Sequence, residues 1–167
     1  MSSLSLEAAV RELKAVTEEE ANRLGQLVEH AVRSDGKKPV SYAIVDVCGD
    51  PILAYRIDGA SADSFWIALN KAKSAVRAGK DTVEIAHRWA ARGPSSEWKR
   101  RDAHEHRFDD NRRTVNPTFV SWAGGVVLYD LDGNIVGALA VSGREELEDH
   151  VLALGVYRSW REELEDS

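Results

Sequence analysis

Apolar positions recur along the chain with two periods, and the switches between them lay out the elements. Ala21, Leu24, Leu27, Val28, Ala31 and Val32 keep the three-and-four spacing of one helix face. Thr17 precedes that stripe and Glu20 follows three residues on, so each side chain can satisfy the other's free backbone N–H in a capping box. The run "RSDGKKP" (Arg33 to Pro39) ends the helix. "VSYAIVDV" and "PILAYRID" are then two apolar, β-branched runs flanking "CGD" (Cys48 to Asp50). They predict a β-hairpin whose turn Gly49 supplies.

"GASADS" breaks the strand pattern, and Ser61 or Asp63 is placed to cap a helix from about Ser64 to Ala78. Its inward stripe is Phe65, Ala68, Leu69, Ala72 and Val76. "DTVEIAHRWAAR" continues as a second helical piece. A polar, highly charged stretch without period follows at about 93–116 and reads as a loop insertion. "TFVSWAGGVVLYD" and "NIVGALAVSG", joined by "LDGN", predict a second hairpin. The last helix begins near Arg144 and carries Leu147, Val151, Leu154 and Tyr157 inward. The order α-β-β-α-(α)-β-β-α predicts an α+β fold, an antiparallel sheet with helices packed on it, in a single domain over 1–167.

Composition narrows the function. A net charge of -6 and a pI near 5.4 give the wrong sign for neutralising phosphates, so nucleic acid is not an expected partner. No window approaches the roughly 18 apolar residues of a membrane span. "MSSLSLEAAVREL" is amphipathic and acidic, without the basic start and apolar run of a secretory signal. Cys48 is the one cysteine, which rules out an intramolecular disulfide and suits a reducing compartment. The expected address is cytoplasmic.

Chemistry-bearing groups concentrate in the insertion. In "DAHEHRFDD", His104 and His106 would share one side of a strand, whereas on a helix they would point about 200° apart. A zinc site wants three or four ligands, and nothing fixes the spacing of His87, Asp102, Asp109 or Asp110 to that pair, so no metal is assigned. His104, His106 and His150 remain the candidate acid–base residues, the last held by Glu146 or Asp149. Arg112 and Arg113 form a pair able to clamp an anion.

Lys71 lies about 120° from the centre of its helix's apolar stripe, as a pocket wall, a subunit contact or a surface lysine over apolar neighbours. Asp58 is either a turn residue or a carboxylate at a pocket mouth facing Lys71 or Arg56. Gly124 and Gly125 permit close backbone approach. Ser142 and Gly143 end a strand just before a helix, either as an anion-binding spot or as a plain cap. Trp66 and Trp122 are the tryptophans best placed to wall a pocket for a flat ligand.

The blocks "AIVDVCGDPILAYRIDGASADSFWIALNKAKSAV" and "AGGVVLYDLDGNIVGALAVSG" resemble the GlcG/HbpS-type haem-degrading domain family. That family carries a "VVDxGGxLLAxxRMDGA" hairpin, then a helix with "IALxKAxTA", then "xGGxPIxxxGxxVGAIGVSG". "SGREELEDH" (Ser142 to His150) is similar to the "SGLPQEEDH" of the UPF0303 branch. Lys71 matches the family's helix lysine, while Val127 and Leu128 stand where the family usually has proline and isoleucine. The resemblance implies haem as the cofactor, a homo-oligomer and a ligand site near a subunit contact. Lys71 or arginines would then meet the haem propionates, with a loop histidine near the iron. Two other functions fit the same residues: a cofactor-independent enzyme acting on a small anionic or aromatic metabolite, and a non-catalytic oligomeric partner protein.

Overall fold

The computed structural model describes residues 15–85, 120 and 122–167. Helix α1 (Glu18–Asp35) is followed by β1 (Ser41–Asp46), β2 (Pro51–Arg56) and α2 (Ser64–Ala78). Then come β3 (Gly125–Tyr129), β4 (Ile135–Ser142) and α3 (Glu146–Asp166). The strands form one sheet in the order β2-β1-β4-β3, with every neighbouring pair antiparallel. The α+β architecture expected from the pattern is the one observed.

Local chemistry explains most boundaries. At the start of α1, Thr17 Oγ1 accepts from Glu20 N–H and the Glu20 carboxylate accepts from Thr17 N–H, completing the capping box. Gly36 ends the helix in the left-handed region. The two hairpins turn alike. Asp46 Oδ1 accepts from the N–H groups of Cys48 and Asp50, and Asp130 Oδ1 accepts from those of Asp132 and Asn134. Helix α2 runs from Ser64 to Ala78 as its pattern predicts. The helical piece expected after it is described only as a single turn over 82–85, the rest lying outside the described residues.

Alternation along the strands divides the core in two. One face presents Tyr42, Ile44, Val126, Leu128, Leu139 and Val141 to α1 and α3. The other presents Ala43, Val45, Val127, Ala138 and Ala140 to the alanine-rich side of α2. The sheet is thus sandwiched between α2 on one side and the α1/α3 pair on the other.

The last helix corrects its sequence reading. It starts at Glu146, and its buried residues are Asp149, Ala153, Val156 and Trp160. Leu147 and Val151 point outward, 67% and 68% exposed. Asp149, Ala153 and Val156 each lie two positions on from Leu147, Val151 and Leu154, so a different face is buried, and the carboxylate of Asp149 finds a partner inside the protein.

Candidate functional site

That partner is Lys71. From α2 its Nζ donates to Asp149 Oδ2 at 3.0 Å and to Val141 O at 3.1 Å. Both charged side chains are 2% exposed. Lys71 is therefore neither a surface lysine nor a pocket wall: its stem turns inward and ties one helical layer to the other across the end of the sheet. Burial depresses the Lys71 amine and lifts the Asp149 carboxyl, and in each case the partner's charge opposes the effect of burial.

Glycines make the crossing possible. A Cβ on Gly124, whose φ is +126°, would sit 2.9 Å from Lys71 Nζ and 2.6 Å from Val141 O. A Cβ on Gly125 would sit 2.7 Å from Lys71 O and 2.8 Å from Thr82 Cγ2. The Gly-Gly step lets α2 approach the first residues of β3 and leaves a lane for the lysine stem.

The other oxygen of Asp149 faces the turn before its own helix. Oδ1 accepts from Arg144 N–H at 3.0 Å, and Gly143 N–H also bonds the carboxylate. An anion does sit at the strand–helix junction, and it is an internal one. Ser142 is the buried last residue of β4 rather than the helix cap, a position that falls to Glu145.

Arg144 carries the connection outward. Its Nε donates to Lys38 O at 2.8 Å, and its two terminal nitrogens meet Asp35 at 2.6 and 3.0 Å. The Asp35 carboxyl is held below its ordinary range first by that arginine bond, then by Lys37 N–H. Arg144 forms part of the end of a groove of about 520 Å³ between α1 and α3. Leu27, Ala31, Val151 and Leu152 supply apolar lining, and His30 and Lys37 also reach the groove. Lys37 pairs with Glu148 at 3.0 Å in an exposed contact.

The remaining candidates are dispersed. Asp58 is exposed after β2, and Lys71, its suggested partner, is committed to Asp149. Trp66 is 61% exposed on α2, edge-on to Phe65, and Trp122 is partly buried; neither lines the groove. His150 is partly buried, and its Nδ1 lies buried without a hydrogen-bond partner. Asp149 is spent on Lys71 and the turn, so it does not hold that imidazole. Across from His150, burial lifts the Asp81 carboxyl, with Val127 N–H and the histidine pulling the other way. His104, His106, Arg112 and Arg113 lie outside the described residues. Among the described residues no group of three or more His, Cys, Asp or Glu side chains is arranged to hold a metal ion. No described helix is long and apolar enough to cross a membrane.

Asp149 was expected only as a holder of His150, and Arg144 and His30 carried no expected role. Arg144 and Asp149 carried a local signal, since base and acid both follow the "SG" turn in "SGREELED", but His30 stands on an exposed helix face with nothing to distinguish it.

The model of the haem-degrading protein HbpS-like family matches residues 16–156, a span that contains α1, the sheet, the Lys71–Asp149 pair and most of the groove. The chain belongs to that family. This HbpS-like protein is 29% identical over 143 residues to an uncharacterized 15.0 kDa protein of Citrobacter freundii, covering 86% of this chain and 90% of the relative. A double mutant of HbpS from Streptomyces reticuli superimposes with a TM-score of 0.64 at 26% identity, covering 87% of this chain and 86% of that one. The PduOC:haem complex shares the fold, with a TM-score of 0.68 at 21% identity over 87% of this chain and 94% of that one.

Proposed function

We propose that this HbpS-like protein binds haem, in the groove between α1 and α3, as a haem-binding or haem-degrading member of its family. The observation that carries the reading is the groove's composition. Its volume lies within the range of small-molecule sites, and its lining is largely aliphatic. The His30 imidazole can offer a nitrogen to iron, and the Lys37 ammonium lies at the end where the acid tails of a porphyrin would need a cation. Lys37 is available because its contact with Glu148 is exposed, and such pairs are worth little. When bound, haem would supply an iron centre for ligand exchange or redox chemistry. The protein's part is to bury the macrocycle's apolar faces and meet its carboxylates. This reading replaces the tryptophan-walled pocket with an aliphatic one, and the histidine of the insertion with His30. That a protein of the same fold was crystallised with haem is in keeping with it.

Titration with haemin tests it. A saturable Soret band is expected, lost or displaced in His30→Ala and retained in a His104→Ala/His106→Ala double variant. The reverse pattern moves the ligand to the insertion, and no band in the wild type ends the haem reading.

A second reading draws on Leu147 and Val151, two large apolar side chains left exposed on the groove's rim. They suit a contact between copies of the chain, and such a contact would put the ligand near a subunit interface. Light scattering of a Leu147→Ser/Val151→Ser variant decides it: a drop in mass supports the contact, and unchanged mass removes it.

A further inference from the structure

We propose that Lys71 is a positioning residue for the groove: through Asp149 it fixes the backbone at Arg144, and with it the guanidinium at the groove's charged end. The inference rests on the groove reading above and adds a buried residue that no ligand touches. Its basis is a continuous series of polar contacts. Lys71 Nζ meets Asp149 Oδ2 at 3.0 Å, and Asp149 Oδ1 takes the Arg144 N–H at 3.0 Å. The Arg144 side chain then makes three bonds, to Asp35 at the end of α1 and to Lys38 O just beyond it.

The two ends of the series differ in what they can tolerate. The Lys71 end is tightly held, since Val141 O takes a second bond and Gly124 lies so close to Nζ that even a Cβ there would clash. The Arg144 side chain is only 4% exposed although it lies at an open groove, so its position is set by its bonds rather than by solvent. Without the ammonium, Asp149 is a buried carboxylate facing only backbone N–H groups. It must take up a proton or move toward water, and either change weakens its hold on the Arg144 backbone. The guanidinium and its partner Asp35 then shift relative to Lys37, changing the field that a ligand's carboxylates meet. A lysine that merely staples two layers predicts lower stability and an unaltered site in the molecules that remain folded.

A cycle between Lys71→Met and Arg144→Gln, read as haemin affinity of folded protein, separates these roles. Lys71→Met is expected to weaken binding about ten-fold in the wild-type background and less than about two-fold beside Arg144→Gln. Equal factors in both backgrounds, or no change in either, overturn the proposal. Should Lys71→Met fail to fold, Asp149→Asn takes its place in the same cycle with the same expectations, since the amide oxygen preserves the shape but loses the charge. Should the wild type bind no haemin, the haem reading falls separately, and the Arg144 Nε–H resonance decides the inference. That resonance shifts in Asp149→Asn if Arg144 is held through Asp149, and stays in place if it is not.

Discussion

The two faces of the sheet are built from the same strands and differ in almost every other respect. Toward α2 the strands present alanines, at 43, 138 and 140, and the helix answers with Ala68, Ala72 and Ala75. Toward α1 and α3 they present Tyr42, Ile44, Leu139 and Val141 against Leu24, Val28 and Trp160. Small residues on both sides let the α2 backbone come close to the sheet, so among the described residues that face is closely packed. Large residues hold two helices off the other face, and a groove lies between those helices. The tight face thereby supplies rigidity, and the looser one supplies the candidate site. Lys71 belongs to the tight face and reaches past its edge to the other.

The comparison can be broken at Lys71 first. Removing one partner of a buried ion pair costs about 3–5 kcal/mol, so Lys71→Met should lower the urea midpoint steeply. A Lys71→Met/Asp149→Leu double variant should recover much of that loss, because no uncompensated charge remains. Equal destabilisation in both would mean that packing, not charge, is what Lys71 provides.

The close approach of α2 is tested next. Gly125→Ala places a Cβ within 2.7 Å of Lys71 O, a backbone atom that cannot move without the helix. A loss of about 1–3 kcal/mol is expected in chemical denaturation. A neutral result would show that α2 sits less tightly than the alanine face implies.

Acid acts on the opposite face. Because Arg144 holds the Asp35 carboxyl below its ordinary value of 3.8, that pairing adds stability throughout the range above about pH 4. The contribution is lost only as pH falls through the lowered value. Thermal midpoints of the wild type and Asp35→Asn should therefore differ at pH 7 and converge below pH 4. Convergence already at pH 6 would assign the difference to another group.

The smallest effect on stability is expected on the groove's rim. Leu147→Ser and Val151→Ser alter exposed side chains and should change folding free energy by no more than about 0.5 kcal/mol. Haemin affinity should fall nonetheless. Loss of stability without loss of affinity would show that these residues pack against something inside the fold.

Much of the frame was legible in the residues. The Thr17–Glu20 capping box, the Gly49 and Gly133 turns and the limits of α2 are all set by groups within a few positions of one another. The candidate site was less legible. Lys71, Gly124, Gly125, Ser142 and Gly143 each stand out in the sequence, and the fold gathers them at one end of β3 and β4, yet Asp149 was assigned to His150 and not to Lys71. A helix stripe is read by counting apolar residues, and Asp149 occupies an inward position that the count assigns to solvent. Leu147 and Val151 were placed inward for the same reason. Asp58 and Trp66 look like site residues locally but project into solvent.

The sequence by itself determined the order of elements, their caps and turns, and the alternation that gives the sheet a small face and a large one. These depend on backbone preferences and on hydrogen bonds between near neighbours. Only the tertiary structure decided which way α3 is turned, that Lys71 is buried, and where a groove opens. Each of those depends on a charge finding its counterpart 78 residues away, or on how two helices distant in sequence come to lie side by side, which no local pattern encodes.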